Sequence, residues 1–401
     1  MKKLLLFGAG KIGRSFIGQL FGRSGYTVQF ADIDTRIVEL LNREHAYKVI
    51  TLDNRYPEKE GEYWVNHVSA LHLSEEDKIV NSIVEADLVA FSVGKRGLLS
   101  LAELFARGVC QRYKVRKEQP LDLILAENVR NAAELFRGEM EKYAGAVPLS
   151  DYVGFVETSI GKMVPIMTDE QLSRDPLSVV AEPYNTLIVD ALGFKNGIPE
   201  VEGLAPKLNM KAWVDRKIFI HNLGHAVLSY QANYSDPDLI YVWEALEIAE
   251  LRDLTRKTMW QSMEILRMLY PYEFQAEELV DHIDNLLDRF SNKALGDTIY
   301  RVGCDLPRKL NKDDRLLIPI LAGFRHAKDY ALILDAWVKG CFFKATDSHG
   351  LATLVDKDFL MKYAGNPLLV LSDHCKLPED EYGAIYQEVR RLMKALRVKC
   401  Q

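Results

Sequence analysis

The sequence predicts an α/β protein: a Rossmann-type, doubly wound parallel sheet followed by a predominantly α-helical second domain. Three observations carry this. From Met1 to about Asp190, short apolar runs alternate with helix-period patterns, the rhythm of βαβ units. The first run-to-helix junction holds a GxGxxG turn, Gly8–Gly13. From Leu208 onward the pattern is that of amphipathic and buried helices. At about 150 residues per domain, 401 residues make two to three domains. We place a dinucleotide-binding domain over 1–200 and a mostly helical substrate and catalytic domain over 201–401. The boundary is drawn there because Phe194–Pro206 gathers Gly197, Pro199, Gly203 and Pro206, the composition of a linker.

The elements follow in order. Leu4–Phe7 reads as a strand, Ile12–Arg23 as the helix it feeds, Thr27–Ala31 as the second strand and Ile37–Glu44 as its helix. Further strands are expected at Leu88–Val93, Leu121–Leu125 and Gly154–Glu157. In the second half the helices are Ala212–Ala232, Val242–Leu269, Ala276–Phe290, Leu316–Ala322, Tyr330–Lys339 and Tyr382–Arg397.

Composition narrows the function classes. With 48% apolar and 27% charged residues the chain lacks the signature of disorder. A formal charge of -6 offers no general attraction to nucleic acid or to an anionic membrane, so an anionic ligand must be held by local cations. The five cysteines are odd in number, scattered and never spaced C-x-x-C, which argues against a disulfide framework and a cysteine–zinc site and for a reduced, cytoplasmic setting. The opening run Leu4–Phe7 stops at Gly8, too short for a signal core or a membrane span, and no targeting segment is visible.

The GxGxxG turn sits in its proper context, after an apolar strand and opening a helix. Gly8 permits the tight turn, Gly10 lets backbone amides approach a pyrophosphate, and Gly13 lets the helix pack on the strand. Phe7 leads into the turn and, with Gly8 through Gly13, is a candidate cofactor-binding residue; the amides around Ala9, Lys11 and Ile12 would face phosphates at a positive helix terminus. Asp32 ends the second strand, where an acid accepts hydrogen bonds from ribose hydroxyls and repels a 2′-phosphate. This favours NAD, although Arg36 stands close enough to serve a 2′-phosphate. A turn required only for packing is the plainer alternative.

The most informative stretch of the second half is Lys217–His225, which reads K-x4-N-x2-H. At roughly 100° per helical residue, Asn222 lies about 140° and His225 about 80° around from Lys217, so one cleft wall can hold all three. Oxidising an alcohol needs a group to take the hydroxyl proton and donors to steady the oxygen. A lysine desolvated beside Ile218 and Phe219 can be that base, Asn222 a non-titrating donor, and His225 a group that orients the lysine or binds a substrate hydroxyl. Taken singly, each residue has an ordinary surface or structural reading. His221 borders the same face, and His221 with His225 at i, i+4 raises a metal site, but the glutamate of H-E-x-x-H is missing and no metal is expected.

At these residues the chain resembles the polyol-specific long-chain dehydrogenase/reductase family. The likeness runs through nearly the whole sequence: Phe7–Arg14 with Phe16-Ile17-Gly18, Phe30-Ala31-Asp32, and Arg216-Lys217 through Asn222 and His225. The resemblance implies that Lys217 is the general acid/base and that Asn128, just past Leu121–Leu125, pairs with Asn222 to stabilise the oxyanion. Read without it, Asn128 is equally a turn asparagine. The chain departs from the family pattern at Ile160–Pro165, where Gly161 and Lys162 replace an acid and an arginine, and at Cys304, where relatives carry arginine. The implied reaction interconverts D-mannitol 1-phosphate and D-fructose 6-phosphate with NAD and no metal, in a protein compatible with a monomer. A free polyol or a hexuronate is the alternative substrate. A sugar phosphate needs cations, and Arg308, Lys309 and Arg315, with Arg301, are the best local supply; the competing reading is a solvated basic face salt-bridged to Asp313 and Asp314. A catalytically silent NAD-binding protein is the rival of another class.

Overall fold

A computed structural model describes residues 1–165, 173, 175–363 and 365–399. The chain forms two compact units, Met1–Val214 and Asp215–Gln401.

The first unit is built on strands β1 (Lys2–Phe7), β2 (Tyr26–Asp32), β3 (Ala46–Thr51), β4 (Gly61–Asn66), β5 (Val68–His72), β6 (Leu88–Phe91), β7 (Leu121–Leu125), β8 (Val153–Ile160), β9 (Val179–Ala181), β10 (Leu187–Asp190) and β11 (Leu204–Lys207). Eight form one sheet in the order β11-β10-β8-β7-β6-β1-β2-β5, and β4-β3-β9 form a second, small one. The six strands from β8 to β5 are mutually parallel. The chain winds outward from β1 through β2 to β5, then returns to the other side of β1 at β6. This reversal opens a crevice at the carboxyl ends of β1 and β6, the place where doubly wound sheets bind ligands.

Helices cover the sheet, so its central strands are buried on both faces and read as unbroken apolar runs: Leu88–Phe91 is fully buried, as is Leu121–Leu125 with the single acid Asp122. Alternate residues of β1 feed two cores. Leu4 and Leu6 join Phe16, Ile17 and Phe30, while Leu5 and Phe7 join Phe91, Phe105 and Phe136.

The segment Phe194–Pro206 is not a linker. Asp122 accepts the Lys195 amide at 2.7 Å and the Asn196 amide at 3.1 Å, and Leu204–Lys207 extends the sheet as β11 alongside β10. An edge strand tolerates Pro206, whose missing N–H removes no ladder bond on the open side. The two compact units meet after Val214.

In the second unit the helix Leu223–Ser235 is buried on nearly every face. It packs against Ala249–Leu269, Ile299–Gly303 and Ala331–Gly340. Gly224 makes one close approach possible: a Cβ there would lie 2.6 Å from Met259 Sδ. Ser229 Oγ donates to the Ile299 carbonyl at 2.7 Å and Tyr230 Oη to that of Gly303 at 3.1 Å, so these two buried hydroxyls are satisfied internally. The expected continuous helix Val242–Leu269 is broken at Ile248, whose extended backbone separates Val242–Glu247 from Ala249–Leu269. No helix among the described residues is long and apolar enough to cross a membrane.

Candidate active site

In the first unit the chain turns sharply after β1. Gly8 has φ +98°, and a Cβ on it would stand 2.2 Å from the Ser92 carbonyl oxygen, so both the conformation and the space demand glycine. Gly13 is equally constrained, since a Cβ would lie 2.1 Å from the Gly8 oxygen. A Cβ on Gly10 would meet nothing within 4 Å. The turn is thus closed beneath and open above Gly10, the shape of a cradle over which a ligand can lie. The helix starts at once, with the Arg14 amide donating to the Gly10 carbonyl at 3.0 Å. Its leading amides, from Lys11 and Ile12 on, occupy the positions that have no intrahelical acceptor.

Other predicted residues support this cradle in ways the sequence did not disclose. The Phe7 side chain is fully buried and stacked on Phe91 at 4.4 Å, a prop under the turn rather than a ligand contact. Its alternation with Leu6 sends it into the core. The Ala9 amide is taken by Asp32 Oδ2 at 2.5 Å, and Asp32 Oδ1 accepts the Asp34 amide at 2.9 Å. Asp32 therefore braces the turn while each carboxylate oxygen keeps a further lone pair for a ribose hydroxyl. Lys11 Nζ donates to the Pro165 carbonyl at 3.2 Å.

Asn128 is exposed, at the carboxyl end of β7 and hence on the sheet edge that carries the turn. Glu127, beside it, was missed. It is nearly fully buried and accepts the Val93 amide at 2.7 Å and the Gly94 amide at 3.0 Å, which fixes the loop after β6 on the crevice rim. Burial raises its pKa, partly offset by these amides.

In the second unit Lys217–Asn222 is a stretch of π-helix leading into Leu223–Ser235. A π turn closes i→i+5, so Lys217 and Asn222 stand one turn apart, in closer register than the α-helical spacing implied. Lys217 is half-buried, and its pKa is lowered to about 7, first by desolvation and then by the Arg315 charge. His225 lies flat against Phe290, ring centroids 4.0 Å apart, with Nε2 3.6 Å from Asp297 Oδ2. Desolvation, and then the charges of Arg301, Lys309, Arg315 and Arg289, push its pKa well down, so the imidazole is neutral at pH 7. The buried His221 is likewise neutral, from desolvation and then Arg289.

Of the predicted cations, Arg315 and Lys309 are enclosed, while Arg308 is half-exposed and paired with Asp314, as the competing reading expects. Arg308 spans Asp305 (2.5 Å) and Asp314 (3.0 Å), and Arg315 Nε donates to the other oxygen of Asp314 at 2.7 Å. Lys309 is buried, donates to the Val302 carbonyl at 2.6 Å, and has its pKa lowered to about 7 by desolvation and by Arg315. Arg301 is ion-paired with Asp297. Asp297 and Phe290 were missed because nothing near the K-x4-N-x2-H motif points to them. The only local cue was the i, i+4 spacing of Asp297 and Arg301. No group of three or more His, Cys, Asp or Glu side chains among the described residues is arranged to hold a metal ion.

Residues 2–203 match the mannitol dehydrogenase Rossmann domain, and residues 209–365 match the mannitol dehydrogenase C-terminal domain. Among solved structures, mannitol 2-dehydrogenase of Pseudomonas fluorescens, in ternary complex with NAD and D-mannitol, aligns with a TM-score of 0.70 at 14% identity over 98% of this chain and 94% of that one. D-sorbitol dehydrogenase in substrate-free form aligns with a TM-score of 0.77 at 16% identity over 99% and 93%. At such identities the likeness is one of fold.

Proposed function

Because this chain belongs to the mannitol dehydrogenase family, we propose that it is an NAD-dependent polyol dehydrogenase interconverting D-mannitol 1-phosphate and D-fructose 6-phosphate. The observation that carries the reading is a half-buried lysine whose ammonium is destabilised into the neutral pH range, one π turn from an asparagine.

The open face above Gly10, the leading amides of the helix and the remaining lone pairs of Asp32 fit a dinucleotide: pyrophosphate on the helix terminus, adenosine ribose on the carboxylate. When bound, NAD supplies the hydride acceptor or donor. The protein supplies the proton. In oxidation the neutral Nζ of Lys217 takes the hydroxyl proton; in reduction its ammonium returns one to the forming hydroxyl. Asn222 donates an amide hydrogen to the same oxygen, where charge develops. His225, neutral, binds a substrate hydroxyl. Arg315, Lys309 and Arg308 take the phosphate, with Asp314 holding both arginines in place.

A second reading, a non-phosphorylated polyol or a hexuronate, is favoured by one observation: Asp314 and Asp305 already neutralise much of the charge offered by Arg308 and Arg315. Oxidation of NADH with fructose 6-phosphate, fructose and fructuronate as parallel substrates decides between them. We expect fructose 6-phosphate to be reduced with kcat/KM at least about 100-fold above the others, the worth of a well-made charged contact. Turnover confined to fructose or fructuronate would replace the phosphate assignment.

A further inference from the structure

The ring of His225 is held from two directions. Its face rests on Phe290, with the planes 7° from parallel, and its edge meets a carboxylate, Nε2 lying 3.6 Å from Asp297 Oδ2. Asp297 is 5% exposed and doubly anchored: its carboxylate is paired with Arg301, and its backbone carbonyl accepts the Val242 amide at 2.9 Å. Nε2 is buried and, with Asp297 Oδ2 still 3.6 Å away, makes no hydrogen bond among the described residues. A buried ring nitrogen left in this state costs free energy until a partner closes on it, and catalytic hydrogen bonds are commonly long before substrate binds.

An ionised carboxylate can only accept, so the nitrogen opposite it must carry hydrogen. Burial, and after it the surrounding arginines and Lys309, keeps the ring neutral, which leaves one N–H to give. We propose that Asp297 is a positioning residue of the dehydrogenase: it fixes His225 as the Nε2–H tautomer against Phe290, leaving Nδ1 as a lone-pair acceptor for a substrate hydroxyl. The inference rests on the polyol dehydrogenase reading. It adds that His225 receives a hydrogen bond from substrate and does not donate one from that edge. Arg301, ion-paired with Asp297, orients that carboxylate at one remove.

Two measurements on the full chain test this. Nitrogen-15 NMR of histidine-labelled wild-type protein, with the His225 signals identified by their loss in His225→Ala, should show hydrogen on Nε2; hydrogen on Nδ1 overturns the proposal. In kinetics, Asp297→Asn should lower kcat about 10–100-fold, the usual cost of losing a partner that orients a working histidine, while NAD affinity stays within about twofold of wild type. Adding Asp297→Asn to His225→Ala should then cost nothing further, because the carboxylate acts through the ring. Full additivity of the two losses contradicts the proposal. Should wild-type protein turn over no polyol or ketose, the functional reading fails, and the tautomer measurement still decides the role of Asp297.

Discussion

Lys217 sets the pH dependence of any reaction that uses it. An ordinary lysine near 10.5 is fully protonated at neutrality and useless as a base; here desolvation, helped by the Arg315 charge, brings it to about 7. Oxidation needs the neutral amine, so its kcat/KM should fall about tenfold per pH unit below about 7 and be level above. Reduction needs the ammonium, so its profile should be the mirror image, falling above about 7. Inflections remaining near 10 in both directions would remove Lys217 from the chemistry. Arg315 is the second informative residue, since it both depresses Lys217 and stands in the proposed phosphate site. Arg315→Gln should raise KM for fructose 6-phosphate about 10–100-fold, as loss of a charge-assisted contact does, and also move the Lys217 inflection upward. A change in KM with no movement of the inflection would separate the two roles.

The elements explain why some of this was legible and some was not. The glycine turn was, because its chemistry is local: Gly8, Gly10 and Gly13 each answer a demand made within a few residues. Their substitutions should nonetheless behave differently. Gly10→Ala meets open space and should leave Tm within about 1 °C while weakening NAD at least about tenfold, since the methyl group would lie where the pyrophosphate does. Gly8→Ala meets the Ser92 carbonyl in a left-handed conformation and should lower Tm by several degrees as well, at about 1–3 kcal/mol of strain. Thermal melts with NAD titrations distinguish them, and equal loss of stability in both would contradict this division of roles. Strands β1, β6 and β7 were readable as apolar runs, and β2 by its alternation of buried and half-buried residues. Strand β3 was not: Tyr47, Val49 and Thr51 turn inward while Lys48 and Ile50 share the half-buried face, and its parallel partner β9 lies far along the chain. The π segments also escape a sequence of 3.6-residue period. That at Gly13–Gly18 coincides with the Tyr47 hydroxyl donating to the Arg14 carbonyl at 2.8 Å, a side chain inserted into the helix ladder from β3. Asp297 belongs with these, because only tertiary packing sets it against His225.

For the molecule as a whole, the two units divide the labour that the sequence had divided on compositional grounds. The glycine turn lies within Met1–Val214, and Lys217, Asn222 and His225 lie within Asp215–Gln401. In this acidic chain of net charge -6, the second unit crowds two lysines, Lys217 and Lys309, both brought to about 7 first by desolvation and then by the Arg315 charge. Such crowding is a strain that a bound anion would relieve, so inorganic phosphate should protect the wild-type protein against thermal unfolding more than sulfate-free chloride of equal ionic strength, and lose that advantage in Arg315→Gln. The central claim is narrower than any of this, that a single amine exchanges the proton. It is tested most directly by Lys217→Ala, assayed for NADH oxidation with fructose 6-phosphate alongside titration of NAD binding. We expect turnover to disappear, with a loss of at least about 10³-fold, and the NAD dissociation constant to stay within about twofold of wild type. Turnover that survives the substitution unchanged would contradict the account.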